Sequence, residues 1–192
     1  MTSPIDIALI YGSAREGRFC DTVAGWTATA IERTGGFALD VLDPVAAEVA
    51  RGIEGREADA RAALRRRIGR ADGFVVVTPE YNHSYPAPLK ALIDSAYDEW
   101  QAKPVAFVSY GGGSGGIRAV EHLRHVFAEL HAVGLRDGVS FANAWSQFDE
   151  QGALRDPDGA TKAAATMLAR LSWWAGALRR AREAGAYAEA VA

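Results

Sequence analysis

Gly73-Phe74-Val75-Val76-Val77-Thr78-Pro79-Glu80-Tyr81-Asn82 is the stretch on which the reading of this chain turns. Four consecutive β-favouring apolar residues, Phe74 to Val77, make the strongest strand in the sequence. No polar residue alternates with them, as expected of a strand buried on both faces of a parallel sheet. Pro79 ends it. Working outward, Ile5 to Tyr11 is a second short aliphatic run, closed by Gly12. Phe37 to Leu42 alternates and stops at Asp43-Pro44. Val105 to Ser109 follows Lys103-Pro104, and Leu135 to Phe141 supplies a fifth strand. Between these runs, residues from about 18 to 34, 56 to 70, 88 to 100, 117 to 133 and 159 to 184 read as helices. Ile117, Val120, Leu123, Phe127 and Leu130 fall on one face of the fourth. Strand–helix alternation repeated five times implies an α/β architecture, a parallel sheet with helices on both faces. Residues 44–57 read as a loop available for partner or substrate contacts.

Composition sets the outer limits. The chain has 192 residues, 49% hydrophobic and 23% charged, enough apolar material to offset chain entropy. The expected organisation is one domain over residues 1–192, with an Ala-rich tail from about 185 that frays. One cysteine, Cys20, excludes an internal disulfide and any multi-cysteine metal cluster. With 21 basic and 24 acidic residues the formal charge is −3, so no global positive field favours nucleic acid. No apolar run is long enough for a membrane helix. The start, Met1-Thr2-Ser3-Pro4-Ile5-Asp6, lacks the pattern of a secretory signal, so a cytoplasmic protein is expected.

Three loops of unusual composition follow the first, third and fourth strands. In an open parallel sheet, ligands bind beyond the carboxyl ends of the strands, where strand order reverses. The first loop is Gly12-Ser13-Ala14-Arg15-Glu16-Gly17-Arg18. Its backbone amides at a helix start, the Ser13 hydroxyl and the Arg15 and Arg18 guanidiniums suit an anion. Gly12 and Gly17 have the spacing of a triphosphate loop, but Arg18-Phe19 stands where Lys-Ser/Thr is needed, and the dinucleotide Gly-x-Gly-x-x-Gly is absent. A phosphate monoester without an obligatory metal, such as the end of a flavin mononucleotide, fits what remains. A plain strand–helix turn is the alternative. The second loop, Thr78 to Pro86, carries Glu80, Tyr81, Asn82, His83 and Tyr85, which suits a planar heteroaromatic ring; a stiff proline-bounded connection is the alternative. The third, Ser109-Tyr110-Gly111-Gly112-Gly113-Ser114-Gly115-Gly116, removes side chains where another group approaches the backbone. A ligand ring lies against it, or it is a flexible linker.

Taken in order, these motifs resemble the NADPH-dependent FMN reductase family, a branch of the flavodoxin-like superfamily with quinone, azo-dye and chromate reductase relatives. The resemblance is carried by Gly12-Ser13-x-Arg15, by Pro79-Glu80-Tyr81-Asn82 with Pro88-Leu89-Lys90-Ala91-Leu92-Ile93-Asp94, and by the glycine loop, over residues 5–141. It implies a flavodoxin-like three-layer sandwich with strand order 2-1-3-4-5 and non-covalently bound FMN. It also implies NADPH or NADH as co-substrate and a small-molecule electron acceptor. Carried onto this chain, the phosphate falls to Gly12, Ser13, Arg15 and Arg18. The flavin ring falls to Pro79, Glu80, Tyr81 and Asn82, with Gly111, Gly112, Gly113 and Ser114 beside it. Many relatives carry Ser in place of Arg18 and Asn in place of Cys20. Family members are commonly homodimers or homotetramers. The Tyr97–Trp100 segment and the 142–155 loop are the candidate contacts; Trp145 and Phe148 in that loop fit a contact surface, or a simple fold-back.

The implied reaction is hydride transfer from NAD(P)H to the flavin and on to a flavin, quinone or similar acceptor, by alternate occupation of one site. The alternative is a flavin-binding electron carrier or redox sensor without its own nicotinamide reaction. No catalytic acid or base is assigned; His83 could donate a proton near the ring but more often such a His is structural. His122 and His125 lack further ligands, so no metal is expected. Cys20 near a helix start could have a lowered pKa, or be a small half-buried residue. The six arginines between 56 and 70 read as a solvated helix face, and Trp173 and Trp174 as packing residues.

Overall fold

The computed structural model describes residues 3–191; Met1, Thr2 and Ala192 lie outside it. Five strands, β1 (Ile5–Tyr11), β2 (Phe37–Leu42), β3 (Gly73–Pro79), β4 (Pro104–Gly111) and β5 (Val133–Ala142), form one sheet. Its order is β2-β1-β3-β4-β5 and every pairing is parallel. The helices are α1 (Cys20–Thr34), α2 (Ala47–Glu54), α3 (Ala58–Arg70), α4 (Ala87–Asp94), α5 (Ile117–Glu129), α6 (Ala144–Gln147) and α7 (Asp158–Ala184). All seven residues of β3 and all eight of β4 are buried, which is why their sequences are apolar without alternation. Chain direction reverses its lateral drift between β1 and β3, so the loops after β1, β3 and β4 emerge side by side at one edge.

Two apolar layers flank the sheet. On one side Ile7, Leu9, Val75, Val77, Ala106 and Val108 pack under α1 and α7. On the other, Ala8, Ile10, Phe74, Val76, Val105 and Phe107 pack under α3, α4 and α5. The alternation of these residues along each strand follows from the two-residue period of the strand.

Several expectations need adjustment. The 44–57 stretch contains α2, which buries Val49 and Gly52; a Cβ on Gly52 would stand 2.7 Å from Leu64 Cβ, so glycine is what lets α2 approach α3. The helix read to Trp100 ends at Asp94, and a short 3-10 turn covers Asp98–Trp100. Trp100 is fully buried, with ring centroids 4.6 Å from Phe74 and 5.5 Å from Phe127. Its indole N–H reaches the Ile93 and Ala96 carbonyls, so it is a core residue and no contact surface. The tail forms a 3-10 segment, Tyr187–Val191, with the Tyr187 hydroxyl 3.1 Å from His131 Nδ1. Among the described residues no helix is long and apolar enough to cross a membrane.

Candidate functional site

The first loop leaves β1 through a contact that only glycine allows. The Gly12 N–H donates to the Val77 carbonyl at 2.7 Å, and a Cβ on Gly12 would lie 2.6 Å from that oxygen. Ser13 follows, fully buried. Its hydroxyl accepts the Arg15 N–H at 3.4 Å and shares a hydrogen bond with the Tyr81 hydroxyl at 3.0 Å. With Tyr81 as donor, Ser13 keeps its own proton for a third partner. The exposed Arg15 guanidinium lies over the Tyr81 ring, 4.3 Å from its centroid, a cation–π contact between the first and second loops.

Arg18 is placed differently. It donates to Asp43 through two nitrogens (2.7 and 2.5 Å), to the Ser13 carbonyl (2.5 Å) and to Asp21 (2.8 Å). Four of its five N–H donors are therefore taken within the protein. Its side chain is only 7% exposed, and it pins the first loop to the end of β2. Of the two arginines expected at the phosphate end, Arg15 lies exposed over Tyr81 with no hydrogen-bond partner for its guanidinium among the described residues, and Arg18 shapes the loop.

The second loop is a tight turn. Tyr81 and Ser84 exchange both backbone hydrogen bonds (2.9 and 3.0 Å), with Asn82 (φ 49°) and His83 (φ 73°) left-handed at its tip. That geometry is the two-residue turn of the primed type. Asn82 is exposed at the rim. Glu80 points the other way, with its side chain 6% exposed. It accepts from the Ser114 hydroxyl at 2.9 Å, the Arg118 N–H at 3.2 Å and the Arg118 guanidinium at 2.5 Å. Glu80 is thus the clasp between the second loop, the glycine loop and the first turn of α5. Burial pushes its carboxyl up, but Ser114 and Arg118 outweigh that and hold it below its ordinary value of 4.5.

A depressed carboxyl stabilises the fold above its unfolded value, and that contribution is lost as pH falls through the folded value. The melting temperature of the protein is therefore expected to drop below about pH 4.5. Glu80→Gln should shrink the difference in melting temperature between pH 7 and pH 3, because the substituted side chain no longer takes up a proton. An unchanged difference in scanning calorimetry would show that the clasp carries no such coupling.

The glycine loop contains two kinds of glycine. Gly115 (φ 61°) and Gly116 (φ 83°) are left-handed and jammed: a Cβ on Gly115 would meet Ser140 Oγ, and one on Gly116 would lie 2.8 Å from the Tyr110 nitrogen. The Gly115 carbonyl accepts from Ser109 (2.8 Å) and Ser140 (2.9 Å). Gly112 and Gly113 have neither constraint, with nothing within 4 Å of an added Cβ. Neither backbone conformation nor packing requires glycine there. Open room over the bare backbone of Gly112 and Gly113, in a loop that Glu80 ties to the second loop through Ser114, fits a planar ring.

All twelve residues singled out from the sequence lie on these three loops. Ser13, Arg15 and Tyr81 are in direct contact; Glu80, Ser114 and Gly111 are grouped at the β3–β4 exit. Sequence reading missed Arg118, two residues into α5, and Asn143 (φ 49°), whose N–H bonds the Gly112 carbonyl at 2.9 Å. That bond brings α6 and the 63%-exposed Trp145 alongside the loop. Cys20 is fully buried, and burial pushes its thiol up, against a thiolate role. His83 and His122 stand 6.1 Å apart, with His122 Nδ1 2.9 Å from the Ser84 hydroxyl. Among the described residues no three His, Cys, Asp or Glu side chains are grouped to hold a metal.

A doubly wound parallel sheet whose three switch-point loops are linked into one cradle defines a flavodoxin-like domain. The chain belongs to the NADPH-dependent FMN reductase family, whose model matches residues 5–146. It is 39% identical over 129 residues to an NAD(P)H-dependent FMN reductase of Schizosaccharomyces pombe, covering 62% of this chain and 64% of that one. It is 41% identical over 115 residues to an NAD(P)H:quinone oxidoreductase of Solanum tuberosum, covering 56% and 58%. These matches span about three fifths of the relatives' length. Among solved structures, FerB, a flavoenzyme NAD(P)H:(acceptor) oxidoreductase from Paracoccus denitrificans, shares the fold with TM-score 0.64 at 21% identity, covering 88% of this chain and 97% of that one. The apo form of the NADH:FMN oxidoreductase EMOB gives TM-score 0.69 at 18% identity, covering 90% and 89%.

Proposed function

We propose that this chain is an FMN-dependent NAD(P)H oxidoreductase acting on a flavin, quinone or similar small acceptor. The observation that supports this most is the linkage of the three loops: Ser13 to Tyr81, Arg15 over Tyr81, and Glu80 to Ser114 and Arg118. Residues far apart in sequence meet at one edge of the sheet, as a ligand with an anionic end and a flat end requires.

The amides of the first loop, the Ser13 hydroxyl and Arg15 would hold the phosphate. The Tyr81–Asn82 turn and the bare backbone of Gly112 and Gly113 would border the ring. Bound there, FMN would supply the redox chemistry between NAD(P)H and the acceptor. The protein's task is to fix both ends of the cofactor and keep one face open. Glu80 holds the loop spacing, and the Ser13–Tyr81 bond keeps the phosphate end in register with the ring end. An open face shared by donor and acceptor makes them alternate, so initial rates are expected to follow a ping-pong pattern. Exposed Trp145 and Ile117 near the glycine loop support a homodimer or homotetramer that covers this rim.

Anaerobic mixing of the FMN-loaded protein with NADPH or NADH tests the reading. Rapid loss of the oxidised-flavin band, restored by a quinone, is the expected result. A yellow protein that neither nucleotide bleaches would instead be an electron carrier or sensor. A colourless preparation that takes up no added FMN would remove the flavin assignment itself.

A further inference from the structure

At the opposite end of the sheet lies a second candidate site. A cavity of about 470 Å³ opens between α7, the start of β5 and the 3-10 segment Tyr187–Val191. That size falls within the range of small-molecule sites. Its walls include Val133, Leu178, Ala181 and Ala186, with Arg182, His131, Tyr187 and Glu189 as its polar lining.

Two independent features set this end apart. The first is charge. Asp72, 8% exposed at its side chain, receives both Arg179 (3.1 Å) and Arg182 (3.0 Å). Lys103, 4% exposed, sits close by and donates to the Ile68 (3.1 Å) and Gly69 (2.7 Å) carbonyls. Three cations thus cluster near one buried carboxylate, with Glu189 the carboxylate in the cavity lining itself. Burial and the Arg182 charge push the Lys103 ammonium down to about 8, against the opposing pull of Asp72 and Glu99. Arg182 also donates to the Ala102 carbonyl at 2.7 Å, so its fork is fixed while three N–H donors have no partner among the described residues. The second feature is backbone strain. Among the described residues five non-glycine residues have positive φ, and three of them (Asn82, His83, Asn143) are at the rim described above. The other two, Ala102 (φ 51°) and His131 (φ 56°), both line this cavity and are bonded to each other, Ala102 N–H to His131 carbonyl at 2.9 Å. Such strain concentrates where a ligand or a switch requires it.

We infer that this cavity is a second ligand site, distinct from the flavin rim, for a small organic acid whose carboxylate meets Arg182 and whose apolar body lies between Leu178, Ala181 and Val133. Arg179, Arg182 and Lys103 outnumber Asp72 and Glu189, so an anion there balances the remaining positive charge, and an apolar body matches the walls. This assignment does not depend on the flavin reading.

The probe is 4-phenylbutyrate, titrated by calorimetry into the full chain with and without FMN. One-to-one binding with Kd below about 1 mM is expected in both conditions. 4-Phenylbutanol, the same body without charge, should bind at least about tenfold more weakly. Ala181→Trp, which fills the cavity from the exposed surface of α7, should abolish binding, while Arg15→Ala at the other end leaves it unchanged. No heat at high ligand concentration, equal binding of acid and alcohol, or full binding by a folded Ala181→Trp protein would each overturn the inference.

Discussion

Gly116→Ala is expected to collapse the glycine loop, whereas Gly113→Leu should leave the fold intact and weaken flavin binding about a hundredfold. At Gly116 the φ of 83° already disfavours any L side chain, and the added Cβ would stand 2.8 Å and 2.9 Å from the Tyr110 nitrogen and oxygen. Those atoms belong to β4, which is buried along its whole length and cannot shift without disturbing β3 and β5. Steric overlap with a fixed backbone and left-handed strain together place the cost at about 4 kcal/mol or more, among the largest single-residue effects. For a chain of this length that lowers the melting temperature by roughly 8–16 °C. Gly113 is the counterpart. Nothing lies within 4 Å of its added Cβ and its φ is ordinary, so a side chain there changes stability by only about 0.5 kcal/mol. If a ring lies against that backbone, the introduced isobutyl group occupies its place, and FMN affinity falls by about two orders of magnitude, near 3 kcal/mol. Thermal melts of the FMN-free proteins and fluorescence titration with FMN read the two effects separately. A Gly113→Leu protein that holds FMN normally would dissociate the glycine loop from the flavin.

The two glycines also mark the boundary of what the sequence discloses. Gly112-Gly113 and Gly115-Gly116 are indistinguishable as text; only the neighbours at Tyr110, Ser140 and Ala142, supplied by β4 and β5, separate structural from permissive glycine. The strands were readable because burial on both faces forces an unbroken apolar run, while their order came only with the family resemblance. α2 was not, because only Val49 and Gly52 are buried along its eight residues and no side chain caps its start at Ala46. A buried glycine carries no hydrophobic signal. Trp100 looked like a surface residue because it stands among Tyr97, Asp98 and Glu99, yet its neighbours in space are Phe74 and Phe127. The loop motifs drew attention to these loops, but only contacts show what each side chain does in the fold. Glu80 came with a ring-binding motif and turns inward to Ser114 and Arg118. Arg118 itself carried no motif, and its role exists only because α5 starts beside the end of β3.

Arg15 and Arg18 are the sharpest case, and their substitutions should separate binding from folding. The sequence presents them as equals, three residues apart in a loop suited to an anion. Arg18→Ala would leave Asp43 without its bidentate partner and the Ser13 carbonyl and Asp21 without a donor. Because the Arg18 and Asp43 side chains are only 7% and 19% exposed, solvent compensates poorly. Breaking such a pair costs about 3 kcal/mol, a fall of roughly 6–12 °C in melting temperature. FMN and riboflavin should then weaken together, since the loop that shapes the whole cradle has loosened. Arg15→Ala removes an exposed guanidinium that rests on the Tyr81 face, and should move the melting temperature by no more than a degree or two, from about 0.5 kcal/mol. Its effect should appear in the ligand: a charge-assisted bond to phosphate is worth about 2 kcal/mol, so FMN weakens about thirtyfold while riboflavin, lacking the phosphate, changes little. The ratio of FMN to riboflavin affinity is therefore the deciding quantity. A ratio that falls in Arg15→Ala and holds in Arg18→Ala assigns the anion to Arg15; the reverse pattern would require the Asp43 pair to open when the phosphate arrives.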